Sequence, residues 1–194
     1  SDRTLEAIGR KHTAKEVGEA FELARPFGFV TNCDLIAGLT GESLEEFCGS
    51  IDCAVALSPD NITVHTLCLK KGARLKEEVE SLKEGDMGEM IAYAREKLTA
   101  AGYEPYYLYR QKYMAGAHEN TGWTKPGRAS VYNIDVMEET ADNFAVGAGA
   151  VTKKVFLKEG RIERIGSPKD LPSYLEKTDK LIEEKRALFT RDKE

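Results

Sequence analysis

The sequence lacks any run of about 18 apolar residues, so no stretch is long and apolar enough to cross a bilayer as a helix. It has no opening of basic, then apolar, then small residues. No signal peptide is therefore visible, and the expected location is the cytoplasm. It also lacks an excess of positive charge, because 28 Lys and Arg against 33 Asp and Glu leave a net charge of −5. A general nucleic-acid binder gains affinity by neutralising phosphates, so that class is disfavoured. Metal-binding spacings are missing too. The three histidines (His12, His65, His118) show no H-x3-H pattern, and the cysteines (Cys33, Cys48, Cys53, Cys68) form no C-x-x-C pair. Buried thiols in a reducing compartment are expected instead.

What remains is globular material. With 41% hydrophobic and 31% charged residues over 194 positions, there is enough for one core and an appended subdomain. Helix and strand signals alternate. Thr13 and Glu16 spell a capping box, with Val17, Ala20, Phe21 and Ala24 at helical spacing behind it. Ser43 and Glu46 repeat the box ahead of Leu44, Phe47, Cys48 and Ile51. A third helix opens near Asp86 and Glu89, and Gly102 ends it. Between these lie apolar strand candidates at 29–39, 62–69 and 104–111. Three helix–strand units imply parallel strands joined by right-handed crossovers. Chemistry in such folds gathers at the C-terminal strand ends, which here are 38–42, 68–75 and 111–123. After residue 127 the pattern changes: strands are expected at 130–139 and 143–157, a hairpin turning at Glu159-Gly160, and a helix over 170–190. The expected domains are 1–127 and 128–194.

Several residues stand out. Asp34 interrupts an apolar strand, where an unpaired carboxylate is expensive, so it points to a polar mouth or to designed hydrogen bonds. His65, on the second strand, reads by default as a satisfied core or rim histidine. Arg10 precedes the first capping box; it is by default a surface charge, but its planar fork could grip a carboxylate. "GAGA" at 147–150 lacks both G-x-G-x-x-G and the P-loop lysine, so a tightly packed glycine turn is expected there. "YEPYYLYRQKYMAGAHENTGW" (103–123) packs tyrosines around Arg110 and Lys112 and ends in the only tryptophan. Stacking surface, pocket wall and alternating core strand all remain open for it.

Taken together, "LEAIGRKHTAKEVGEAFELARPFGF", "TNCDLIAGLTGES" and "LSPDNITVHTLCLKKGARL" resemble the second half of a radical S-adenosylmethionine (SAM) enzyme barrel. The specific resemblance is to the oxygen-independent coproporphyrinogen III oxidases. "YYLYRQKYMAG" and "AVGAGAVTK" point to the coproporphyrinogen dehydrogenase (HemZ-type) branch, while "DLIAGL-GE" is shared with the related haem chaperones. The sequence departs from the family in two places. Thr40 stands where the family has proline, and the C-x3-C-x2-C motif for a [4Fe–4S] cluster is absent. The chain is therefore expected to be a C-terminal fragment of a longer protein, inactive alone: a half TIM-like barrel of parallel strands followed by a small α+β subdomain. Its partners would be the missing half of the barrel and a tetrapyrrole, with self-association through the exposed sheet edge.

For the complete enzyme, the resemblance implies that a reduced cluster cleaves S-adenosylmethionine. The resulting radical takes a propionate hydrogen from coproporphyrinogen III, and loss of carbon dioxide and an electron leaves a vinyl group. Two rounds give protoporphyrinogen IX in haem biosynthesis. A haem chaperone or a purely structural domain is the alternative. The resemblance implies roles for Arg10 on the methionine carboxylate, Asp34 on the ribose hydroxyls and the Cys68 backbone at the adenine. It also suggests a tetrapyrrole surface at Tyr109, Arg110, Gln111 and Lys112. No metal ligand or catalytic residue is expected in this chain.

Overall fold

The computed structural model describes residues 1–68, 84–110 and 119–190. They form two compact units, Ser1–Ser130 and Val131–Glu194. Among the described residues no helix is long and apolar enough to cross a membrane.

The first unit opens with α1 (Asp2–Ala7), capped by Ser1, and α2 (Ala14–Ala24), which begins with the Thr13–Glu16 capping box. A 3-10 turn, Arg25–Phe27, stops at Gly28, whose φ of 66° is left-handed and free of strain only for glycine. The unit continues through β1 (Asn32–Ala37), α3 (Leu44–Leu57), β2 (Asn61–Thr66), α4 (Glu84–Ala100), β3 (Glu104–Tyr109) and β4 (Asn120–Thr124). Tyr103, between α4 and β3, is buried and donates its hydroxyl to Pro59 O at 2.6 Å, tying the end of α4 to the start of β2. Burial pushes that phenol up to about 12.

α3 also starts on a capping box, Ser43 with Glu46. Glu46 has a second task. Its carboxylate accepts from the Arg3 guanidinium, which also donates to Gly41 O at 2.7 Å, so one side chain caps α3 and holds α1 beside it. The Arg3 contact, helped by the Ser43 N–H, holds the Glu46 carboxyl down at about 2. A carboxyl depressed on folding adds stability above the usual glutamate range and loses it as pH falls toward its folded value. Glu46→Gln should therefore lower the denaturation midpoint at pH 7, and the gap to the parent should close between pH 4 and about 2. Denaturant titrations at several pH values measure it. A gap that persists unchanged at the acid end would mean that charge at Glu46 contributes nothing.

The sheet order is β1-β2-β4-β3. β1 and β2 are parallel, whereas β4 runs antiparallel to both of its neighbours. This corrects the expectation of a purely parallel sheet, and it makes a central strand of residues expected in a loop. "NTGWT" has turn-like composition. It becomes a strand because Trp123, opposite Ile62, fills the core and is 5% exposed.

The register sorts the sheet into two faces. Cys33, Leu35, Ala37, Ile62, Val64 and Trp123 face α3 and α4, whose Phe47, Ile51, Met90 and Leu98 are each 1% exposed or less. Fully burying each such side chain is worth about 1.5–3 kcal/mol. The other face carries Asn32 and Asp34 from β1, Thr63 and His65 from β2, Gly122 from β4, and Tyr107 and Tyr109 from β3.

The second unit differs from the sequence reading at three places. Residues 131–137 form a helix, α5 (Val131–Met137), where β-branched residues suggested a strand. Such propensities amount to only tenths of a kcal/mol per residue, too little to fix the state by themselves. The strand expected over 143–157 is only β5 (Val151–Phe156), paired antiparallel with β6 (Arg161–Gly166). Gly147 and Gly149, at φ 112° and 74°, bend the chain ahead of it, so that Asn143 folds back to bridge Lys153. The C-terminal helix is two helices, α6 (Leu171–Glu176) and α7 (Thr178–Thr190). Lys185 of α7 is 5% exposed and donates to Ala145 O at 2.7 Å, which satisfies its buried ammonium.

Candidate functional site

β1 and β2 point the same way, so their C-terminal ends share one edge of the sheet. Leu67 N donates to Ala37 O at 3.0 Å and extends that pairing toward Cys68. Beyond β1, the chain turns through Gly38 and Gly41, both at positive φ, into the N-terminus of α3. A cleft of about 350 Å³ lies here. Thr4 of α1, Ile8 at its C-cap, Arg10, Asp34, Glu42 and Phe47 are among its walls. Arg10 and Asp34, 24 positions apart in sequence, therefore line one cavity, and no ion pair engages Arg10 among the described residues. Cys68 stands two positions past the end of β2, at the same sheet edge.

Asp34 sits on the polar face of β1. Asn32 Nδ2 donates to its Oδ1 at 2.7 Å, and His65 Nε2 lies 3.8 Å from the same oxygen, an ion-pair distance too long for a hydrogen bond. The His65 imidazole is the main reason the Asp34 carboxyl stays below the usual aspartate range; partial burial opposes it and Asn32 adds to it. The neighbouring Cys33 faces the helices instead. Burial, reinforced by the Asp34 charge, pushes its thiol up to about 11, so it is a poor nucleophile. Cys33, Cys48 and Cys53 carry free thiols.

Glu42 was unremarkable in the sequence, yet it is 6% exposed, and burial raises its carboxyl above the usual range. Its Oε2 and the nearby Thr4 and Thr40 hydroxyls have no hydrogen-bond partner among the described residues.

The tyrosine-rich stretch divides. A bulge falls between Pro105 and Tyr107, setting Tyr106 out of register. Tyr107 and Tyr109 then share the polar face with Asp34. Arg110 falls on the other side, 3.7 Å from Glu119, in a second cleft of about 440 Å³ with Leu108, Ile91 and Arg95. Tyr109 and Arg110 thus do not share one surface. Gln111 and Lys112, the other two suggested tetrapyrrole contacts, lie outside the described residues, as does His118.

In the second unit the two glycine amides of "GAGA" are taken: Gly147 N donates to Tyr174 Oη at 3.1 Å and Gly149 N to Pro168 O at 2.7 Å. Among the described residues no three His, Cys, Asp or Glu side chains gather as a metal site. Asn32, Thr63 and Tyr107 escaped the sequence reading as part of the Asp34 environment. The available signal was period-2 alternation, which puts Asn32 and Asp34 on one side of β1 and Thr63 and His65 on one side of β2.

No family model matches the chain. It is 38% identical over 95% of its length to the oxygen-independent coproporphyrinogen-III oxidase-like protein HemZ of Bacillus subtilis, covering 38% of that protein. It is 29% identical to the haem chaperone HemW of Haemophilus influenzae, over 95% of this chain and 45% of the relative, and 29% identical to HemW of Escherichia coli over 84% and 40%. The chain thus spans less than half the length of these curated relatives. Among solved structures, the radical SAM enzyme coproporphyrinogen III oxidase HemN of Escherichia coli superposes with a TM-score of 0.67 at 16% identity, over 93% of this chain and 41% of that one. At that identity the likeness speaks for the fold.

Proposed function

The chain is a relative, over 95% of its own length, of the oxygen-independent coproporphyrinogen-III oxidase-like proteins, and from that kinship we propose that it carries a nucleoside-binding part of a radical SAM oxidoreductase. The reaction is oxidative decarboxylation of coproporphyrinogen III propionates, and the fold around the site is half of a barrel. One observation carries this reading: Arg10, which no ion pair engages among the described residues, and Asp34, an ionised carboxylate, line the same cleft.

This donor set suits S-adenosylmethionine. The guanidinium matches an amino-acid carboxylate, and Asp34, an acceptor only, matches ribose hydroxyls. The backbone near Cys68 is assigned to the adenine edge. When bound, the cofactor supplies the oxidising chemistry. The residues of this chain orient it and shield the reacting carbon from water. The described residues do not fit a [4Fe–4S] cluster, since among them no three metal-binding side chains gather. Tyr109 is assigned to the tetrapyrrole because it shares the Asp34 face. The edge of β1 that no described strand covers would take further sheet from the full polypeptide or from a second copy.

The test is S-adenosylmethionine binding by the full polypeptide, measured by equilibrium dialysis. Asp34→Ala should weaken it about 10- to 100-fold, the scale of charge-assisted hydrogen bonds. Unchanged affinity in a folded Asp34→Ala variant would remove the cleft from the cofactor site. The sequence similarity to the HemW haem chaperones favours a second reading, haem binding without decarboxylation. Stoichiometric haem uptake with no protoporphyrinogen formed would select it.

A further inference from the structure

Asp34 is the end of a hydrogen-bond chain that crosses the sheet. Thr63 Oγ1 lies 3.3 Å from Asn32 Oδ1 and 3.3 Å from Tyr107 Oη, and Asn32 Nδ2 reaches Asp34 Oδ1 at 2.7 Å. The direction of the chain follows from the atoms. Asn32 Oδ1 can only accept, so the single Thr63 proton goes there. Tyr107 must then donate to Thr63. Every donor points toward the carboxylate, from Tyr107 to Thr63 to Asn32 to Asp34, and bonds aligned this way reinforce one another. The chain begins on β3 and must pass β4 to reach β2. It can do so only because β4 has no side chain at Gly122: a Cβ built there would lie well inside contact distance of Tyr107 Cε1.

Of these donors Asn32 Nδ2 is the one that bonds Asp34, at Oδ1, and the His65 imidazole lies beside the same oxygen. The other oxygen, Oδ2, accepts none of these bonds. A carboxylate held by one oxygen with the second presented is suited to receiving hydroxyl protons.

We infer that Tyr107, Thr63 and Asn32 are positioning residues for the ribose diol, with Gly122 providing the path. They act through Asp34 and do not touch the cofactor. The inference rests on the cofactor reading above, and its test separates the two. In the full polypeptide, binding of S-adenosylmethionine and competition by 2′,3′-dideoxyadenosine, which lacks the diol, are measured by equilibrium dialysis. Tyr107→Phe and Thr63→Val should each weaken S-adenosylmethionine about 3- to 10-fold, the scale of one hydrogen bond, and leave the dideoxy competitor unchanged. Thr63→Ser, which keeps the hydroxyl, should restore parental affinity. Adding Tyr107→Phe to Asp34→Ala should cost nothing further, since both act on one contact. Equal weakening of both ligands by Tyr107→Phe, or an additive double variant, would overturn the positioning role while leaving the cofactor reading intact. If Asp34→Ala itself leaves S-adenosylmethionine binding and the preference over the dideoxy ligand unchanged, the cofactor reading falls first.

Discussion

Phe47→Ala is expected to destabilise the first unit by about 3–5 kcal/mol, the range for emptying a buried phenylalanine site. Phe47 is 1% exposed and stands in the first turn of α3, inside the cluster that joins α3 and α4 to Ala37, Ile62, Val64 and Trp123. The Ser43 and Glu46 capping groups just ahead of it hold the turn by local bonds but cannot fill the space. Phe47 also lines the cleft that contains Arg10 and Asp34, so the void would open toward the proposed ligand and loosen its walls. Guanidinium chloride denaturation reads the effect directly, because the single tryptophan, Trp123, reports from the same cluster. A loss below about 1 kcal/mol would mean that the neighbouring helices collapse onto the gap, as cavities with soft walls can.

Gly122→Ala should cost nearly as much through the opposite fault. One added carbon collides with the Tyr107 ring. Either the ring swings off β4, or β3 and β4 part at the register where Tyr107 faces Gly122. Overpacking of this kind costs about 1–3 kcal/mol. Displacing the ring also breaks the Tyr107–Thr63 bond, which adds about 1 kcal/mol. The pairing of a bare glycine with a cross-strand aromatic makes the prediction specific: Tyr107→Ala should rescue much of the Gly122→Ala loss. A double variant no more stable than the additive sum would show that Gly122 is needed for its backbone and not for the ring above it.

The sequence by itself determined what depends on neighbours in the chain. Two capping boxes, at Thr13–Glu16 and Ser43–Glu46, were legible because each is a bond between residues three apart. β1, β2 and β3 were legible from their composition and spacing, and Asp34 stood out because a charge inside such a strand needs a reason. Only the tertiary structure decided what depends on residues far apart. "NTGWT" reads as a turn, yet it is a central strand, since its stability comes from Trp123 in the core and from ladders on both sides. "VYNIDVM" reads as a strand and is a helix, because β-branched preferences of tenths of a kcal/mol are too weak to decide it. The tyrosines of 103–109 were countable, but a bulge at Tyr106 determined which of them face Asp34. Hydrogen bonds such as Thr63 to Asn32 and Tyr107 to Thr63 join residues 31 and 44 positions apart, so they exist only once register assembles β1, β2, β4 and β3 into one sheet.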